Sequence, residues 1–127
     1  MTLKLIVKIG AIAYTLFIIY ASLAKYAMGF VPKNINGGDK IAHFGAYFVF
    51  VILWSFTCKM NLIEAYRKEN LKYVAVSGLL LGLLMEVCQY VFTSYRQMDW
   101  LDMLANSVGV LLGYLVSVKF IFTAKKH

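Results

Sequence analysis

The sequence predicts an all-α polytopic membrane protein, one domain of 127 residues with four transmembrane helices and both termini in the cytoplasm. Three observations carry this. Hydrophobic residues make up 61% and charged residues 15% of the chain, against about 45–50% and about 25% in soluble domains, so there is too little polar surface to coat a globule. Four stretches each approach the length of about 17–25 mostly apolar residues that crosses a bilayer. The Lys and Arg residues divide unequally between the two sides that those stretches define.

The first span covers residues 5–24. Lys4 and Lys8, an apolar run at 9–20 and Ala21-Ser22-Leu23-Ala24 also resemble a signal peptide with its cleavage site. The continuous span is long enough to cross, which favours a retained helix. The connection at 25–40 holds Pro32 and Asn36-Gly37-Gly38, which are loop chemistry. The second span covers 41–57, the third 71–92 and the fourth 103–123, joined by short connections at 58–70 and 93–102. All four read as helices, because lipid admits only helices or closed barrels and period-2 alternation is absent. Trp54, Trp100, Tyr26, Tyr73 and Tyr95 fall near span ends, where interfacial aromatics belong.

The net charge of +7 sits on one side. Lys4, Lys8, Lys59, Arg67, Lys68, Lys72, Lys119, Lys125 and Lys126 share the side of the termini, against Glu64 and Glu69. Lys25, Lys33, Lys40 and Arg96 share the other, balanced by Asp39, Glu86, Asp99 and Asp102. The basic side faces the cytoplasm. The excess is thus an orientation signal, and nucleic-acid binding has no support beyond net charge. Cys58 and Cys88 make no disulfide framework and fall at opposite ends of their spans.

Lys8, Lys72 and Lys119 lie near cytoplasmic ends and can snorkel. Glu86 cannot, being six residues inside the third span, about 9 Å deep at 1.5 Å per residue. Intramembrane acids face bundle interiors or cavities, and Gln89 shares the face of Glu86. The second span opens Asp39-Lys40-x-x-His43-x-x-x-Tyr47, in which Lys40, His43 and Tyr47 form one stripe and Asp39 lies one turn from His43, near enough to pair with it. The third connection and fourth span read Arg96-x-x-Asp99-x-x-Asp102-x-x-x-Asn106-x-x-Gly109-x-x-x-Gly113. A hairpin turning at Arg96 sets position 86 level with 106, 82 with 110 and 78 with 114. Gly78 and Gly82 would then pack against Gly109 and Gly113 in the cytoplasmic half, since small residues four apart let helices approach closely. Glu86, Gln89, Asp102 and Asn106 would meet in the outer half, joined by His43 and Tyr47 and rimmed by Lys40, Arg96 and Asp99.

These three motifs, in this order and with spans between them, resemble the VanZ-like family of small integral membrane proteins over roughly residues 14–120. The family is named for a protein that raises resistance to the glycopeptide teicoplanin. The resemblance implies a four-span protein of the bacterial cytoplasmic membrane and leaves its reaction open.

The residues support two kinds of function. One is an outer-leaflet site that binds, with or without modifying, a phospholipid headgroup or lipid-linked wall precursor. Lys40 and Arg96 would hold an anionic headgroup, Arg through its planar fork. Glu86 and His43 would be acid and base, with Asp39, Tyr47, Gln89, Asp99, Asp102 and Asn106 binding or orienting. The other is a non-enzymatic scaffold or a small transporter subunit, for which four helices would need a homo-oligomer. Each residue also has a plainer use. Glu86 with Gln89 can clasp helices, His43 can simply pack, Lys40 and Arg96 can snorkel, and Asp99 and Asp102 can cap the fourth helix. No cofactor is predicted. His43, Glu86 and Asp102 are the nearest approach to a metal set, but one His without nearby Cys is poor for zinc. Carboxylates and Asn suit Mg²⁺ or Ca²⁺ better.

Overall fold

The computed structural model describes residues 2–23, 38–61, 71–92 and 100–121, and no strand occurs among them. Four helices follow in order: α1 (Leu3–Leu23), α2 (Gly38–Asn61), α3 (Leu71–Phe92) and α4 (Trp100–Val116), the last running into a π turn at Ser117–Ile121. Each helix, the fourth together with its π turn, is long and apolar enough to cross a membrane. The second extends three residues before and four beyond the apolar run at 41–57, and the fourth starts three residues before 103. Helical hydrogen bonding continues through Lys40 and Lys59, where the hydropathy signal stops.

Local chemistry supports these elements. Thr2 caps α1, its Oγ1 accepting from the Leu5 amide at 3.2 Å. Lys59 in the last turn of α2 and Asp102 in the first turn of α4 both complement the helix dipole. Within the helices Thr15, Thr57, Ser77 and Ser107 donate to the carbonyl four residues back, at 2.8–2.9 Å. Each hydroxyl is thereby satisfied without water.

Helix α2 is the hub. It packs on α1, α3 and, most extensively, α4. The core draws Ile18 from α1, Tyr47, Phe50 and Val51 from α2, Val74 from α3 and Val110 from α4. Large apolar residues such as Leu16, Leu80, Leu84, Leu111 and Leu115 point outward, the reverse of a soluble bundle and the expected surface for lipid. Helix α1 is tied in by Tyr14, which donates to the Ala46 carbonyl at 2.8 Å, and by Trp54 Nε1, which donates to Thr15 Oγ1 at 2.9 Å. Trp54 therefore turns inward rather than anchoring at an interface. Trp100 and Tyr73 are exposed near helix ends, while Tyr26 and Tyr95 lie outside the described residues.

The glycines correct two expectations of packing. A Cβ built on Gly82 would lie 3.1 Å from Asn106 Nδ2, and one on Gly78 would lie 3.0 Å from Val110 Cγ2. The antiparallel α3–α4 pairing is therefore 82 with 106 and 78 with 110, one helical turn away from the register set by a hairpin at Arg96. Gly109 and Gly113 do not face Gly78 and Gly82. A Cβ on Gly109 would collide with the Phe44 carbonyl oxygen, and one on Gly113 would lie 2.9 Å from Val51 Cβ and 3.0 Å from Phe48 O. These two glycines let α4 lie close and parallel along α2, and that interface sets the site.

Candidate functional site

The C-terminal ends of α1 and α3 and the N-terminal ends of α2 and α4 meet at one end of the bundle. The Gly109–Phe44 contact draws the first turns of α2 and α4 together. His43 then faces Asp102 and Asn106, its Nδ1 lying 3.0 Å from Asn106 Oδ1 and its Nε2 lying 3.5 Å from Asp102 Oδ2. An amide oxygen can only accept, so this contact is a hydrogen bond in the tautomer that carries its proton on Nδ1. Lys40, one turn before His43, places Nζ 3.0 Å from Asp102 Oδ1. One carboxylate thus meets an ammonium and an imidazole from the neighbouring helix. Asp102 also remains in the first turn of α4, so the favourable dipole adds to its role across the interface.

Helix α3 supplies Glu86. His43, Glu86 and Asp102 each offer one ligand-type atom, and these atoms all lie within 4.8 Å of one another. Glu86 is 1% exposed, Asp102 5% and His43 9%, so the trio sits in a low-dielectric interior where charges act strongly. Tyr47, a turn below His43, is 2% exposed and belongs to the core beside the cluster. Gln89 is buried too, and its Nε2 donates to the Ser22 carbonyl of α1 at 2.7 Å. That bond joins α1 to the site end of α3 and satisfies a carbonyl in the last turn of a helix, where intrahelical donors run out. Gly82 makes room for Asn106, and Asn106 in turn orients His43.

The structure therefore brings together Lys40, His43, Tyr47, Glu86, Asp102 and Asn106, with Gln89 adjoining them through α1. The described partners of His43 are Asp102 and Asn106. Asp39 falls in the first turn of α2, but its side chain lies outside the described residues, as do Arg96 and Asp99. Cys58 and Cys88 are free thiols.

Sequence reasoning missed the Lys40–Asp102 ion pair. It also missed two further buried polar side chains, Ser55 of α2 and Ser117 at the start of the π turn, both fully enclosed. The signal for the second was present, because Ser117 continues the small-residue stripe of Gly109 and Gly113 at spacing four.

Comparison with curated proteins and with solved structures gives no match. A family model described as VanZ/LLP1 matches residues 4–122. That match takes in all four helices and every residue of the buried cluster, and the chain belongs to the VanZ/LLP1 family.

Proposed function

We propose that the buried cluster binds the polar headgroup of an amphiphilic component of the bacterial envelope, either a phospholipid or a lipid-linked wall precursor. The observation that carries this reading is the convergence of His43, Glu86 and Asp102 from three helices to within 4.8 Å. Three ionisable side chains buried together at one end of an apolar bundle are costly. Such a cost is offset by function more readily than by packing alone. Lys40, with its side chain 29% exposed, is the group through which an anionic headgroup meets the cluster, and Arg96, which precedes Asp102 by less than two helical turns of sequence, is the second candidate cation. Glu86 and His43 would serve as acid and base, exchanging a proton with bound headgroup or water. The polar stripes bury against one another inside a single chain. That favours a site over the scaffold or transporter-subunit reading, in which they would face a partner.

Retention of lipid by the purified full chain tests this. In mild detergent the wild type is expected to hold phosphatidylglycerol or a polyprenyl phosphate over phosphatidylcholine, read by native mass spectrometry. Lys40→Gln should lose that preference about tenfold, roughly 1.4 kcal/mol, while Lys72→Gln at the opposite end keeps it. Equal retention of charged and zwitterionic lipid by the wild type sinks the proposal. Family membership adds a cellular readout. Glu86→Gln should abolish any shift in teicoplanin susceptibility that the wild type confers, and a fully active Glu86→Gln chain removes Glu86 as the acid.

The site end faces outward in this reading, with both termini in the cytoplasm of a bacterial inner membrane, supported by the Lys/Arg bias. In a chain lacking Cys58 and Cys88, a cysteine at Asn36 or Ser94 should react with an impermeant thiol reagent in intact cells. Labelling only after permeabilisation inverts the orientation.

A further inference from the structure

We propose that His43, Glu86 and Asp102 form a binding site for a divalent transition cation of the zinc class. The spacing of the donors is the first argument. Zn–N and Zn–O bonds of about 2.0–2.2 Å place two tetrahedral neighbours about 3.4 Å apart. His43 Nε2 and Asp102 Oδ2 are separated by 3.5 Å. That distance is long for a hydrogen bond and right for two ligands of one ion. Glu86 completes a set of three within 4.8 Å, so gathering all three around one centre takes only a small side-chain adjustment.

The state of the imidazole is the second and independent argument. Its Nδ1–H is held by Asn106 Oδ1 at 3.0 Å. Its Nε2, in a side chain nine-tenths buried, has no hydrogen-bond partner and points at the Asp102 carboxylate. A metal-ligating histidine characteristically donates its other ring N–H to an oxygen, which fixes the tautomer and aims the remaining lone pair. Asn106 occupies that orienting place, and Gly82 gives it the room to do so. Lys40 does the same for the carboxylate, holding Oδ1 while Oδ2 faces the imidazole. Residue types alone favour Mg²⁺ or Ca²⁺ here, but an imidazole nitrogen aimed at one of the two carboxylates makes a borderline set that suits zinc better than an all-oxygen shell. Three protein ligands also leave a fourth position open to a further ligand.

The ion deepens the proposed function and rests on it for its biological use. Among the described residues, two carboxyl groups offset the single ammonium of the cluster, so without a cation an anion is drawn by Lys40 alone. With a divalent cation the balance reverses to net positive, and the open position and Lys40 together suit a phosphate. Ion and proton are alternative partners for His43 Nε2, so the loaded and ion-free sites use the same atoms differently.

The test uses the untagged full chain in detergent, stripped by chelator and titrated with Zn²⁺. One zinc per chain is expected, with affinity lowered at least tenfold in His43→Ala and in Asn106→Leu, and unchanged in His127→Ala. X-ray absorption of the loaded wild type provides a measurement that needs no variant. It should show one imidazole and otherwise oxygen donors. A folded wild type that binds no zinc, binding that survives His43→Ala, or sulfur scattering from Cys58 or Cys88 each overturns the site. A phosphatidylglycerol preference that zinc removal leaves unchanged overturns the ion's part in headgroup binding and leaves the proposed function standing. Zinc bound without lipid retention does the reverse.

Discussion

Replacing Gly109 by alanine is expected to cost more than any other single methyl added to this chain. The new Cβ falls against the Phe44 carbonyl oxygen and only 3.1 Å from Phe44 C and Phe48 N. All three neighbours are backbone atoms of α2, so none can turn aside as a side chain would. Relief requires α4 to move off α2 along the most extensive interface in the bundle. Overpacking ordinarily costs about 1–3 kcal/mol, and a collision with helical backbone belongs at or above the top of that range. The same displacement withdraws Asp102 and Asn106 from Lys40 and His43, so site and fold should fail together. Thermal unfolding in detergent should show a large drop in midpoint for Gly109→Ala, and Gly109→Leu should give no monodisperse protein. Gly10 and Gly45 supply the control, since a Cβ there meets nothing within 4 Å. Alanine at either should be neutral or stabilise by up to about 1 kcal/mol through helix propensity. A Gly109→Ala chain as stable as those controls would mean that α2 and α4 do not approach as described.

What could be read from the sequence divides along a physical line. Composition and span length depend on each residue alone, and they located four helices, the third of them at its observed bounds of Leu71–Phe92. Periodicity depends on residues within one helix, and it placed Lys40, His43 and Tyr47 on one face and Asp102, Asn106, Gly109 and Gly113 on another. Register depends on two helices at once. A slip of one turn keeps every stripe intact, so the hairpin at Arg96 could be wrong by four residues with nothing in the pattern to reveal it. Partner choice is hidden for the same reason. Gly109 and Gly113 suit any close neighbour, and the chain neighbour α3 was the natural candidate. The observed neighbour is α2, which is distant in sequence. The Lys40–Asp102 pair follows from that parallel contact and was invisible without it. The ends of α2 were underestimated because hydropathy marks where lipid ends, not where the helix does.

Removing the Asp102 carboxylate is the second change with a large expected effect. It leaves an ammonium and an imidazole that had been 3.0 and 3.5 Å from it facing a void. Breaking a buried ion pair from one side typically costs about 3–5 kcal/mol, because the surviving charge is stranded. Lys40 keeps 29% of its side chain exposed and can reach solvent or headgroups, which places Asp102→Ala near the lower end. Asp102→Asn preserves shape and an acceptor, so it should cost less stability while still removing the charge that balances Lys40. The double change Lys40→Met with Asp102→Leu separates pairing from packing. If the two groups stabilise the bundle through each other, the double variant should be less damaged than the sum of the singles, with a coupling of about 1–3 kcal/mol. Strict additivity in reversible unfolding would show that Lys40 is held by lipid-facing solvation and that Asp102 serves His43 alone. In that case Asp102→Asn should still disturb the cluster, while Lys40→Met should leave both stability and the geometry around His43 unchanged. The pair of variants therefore decides which of its two neighbours the Asp102 carboxylate is there to hold.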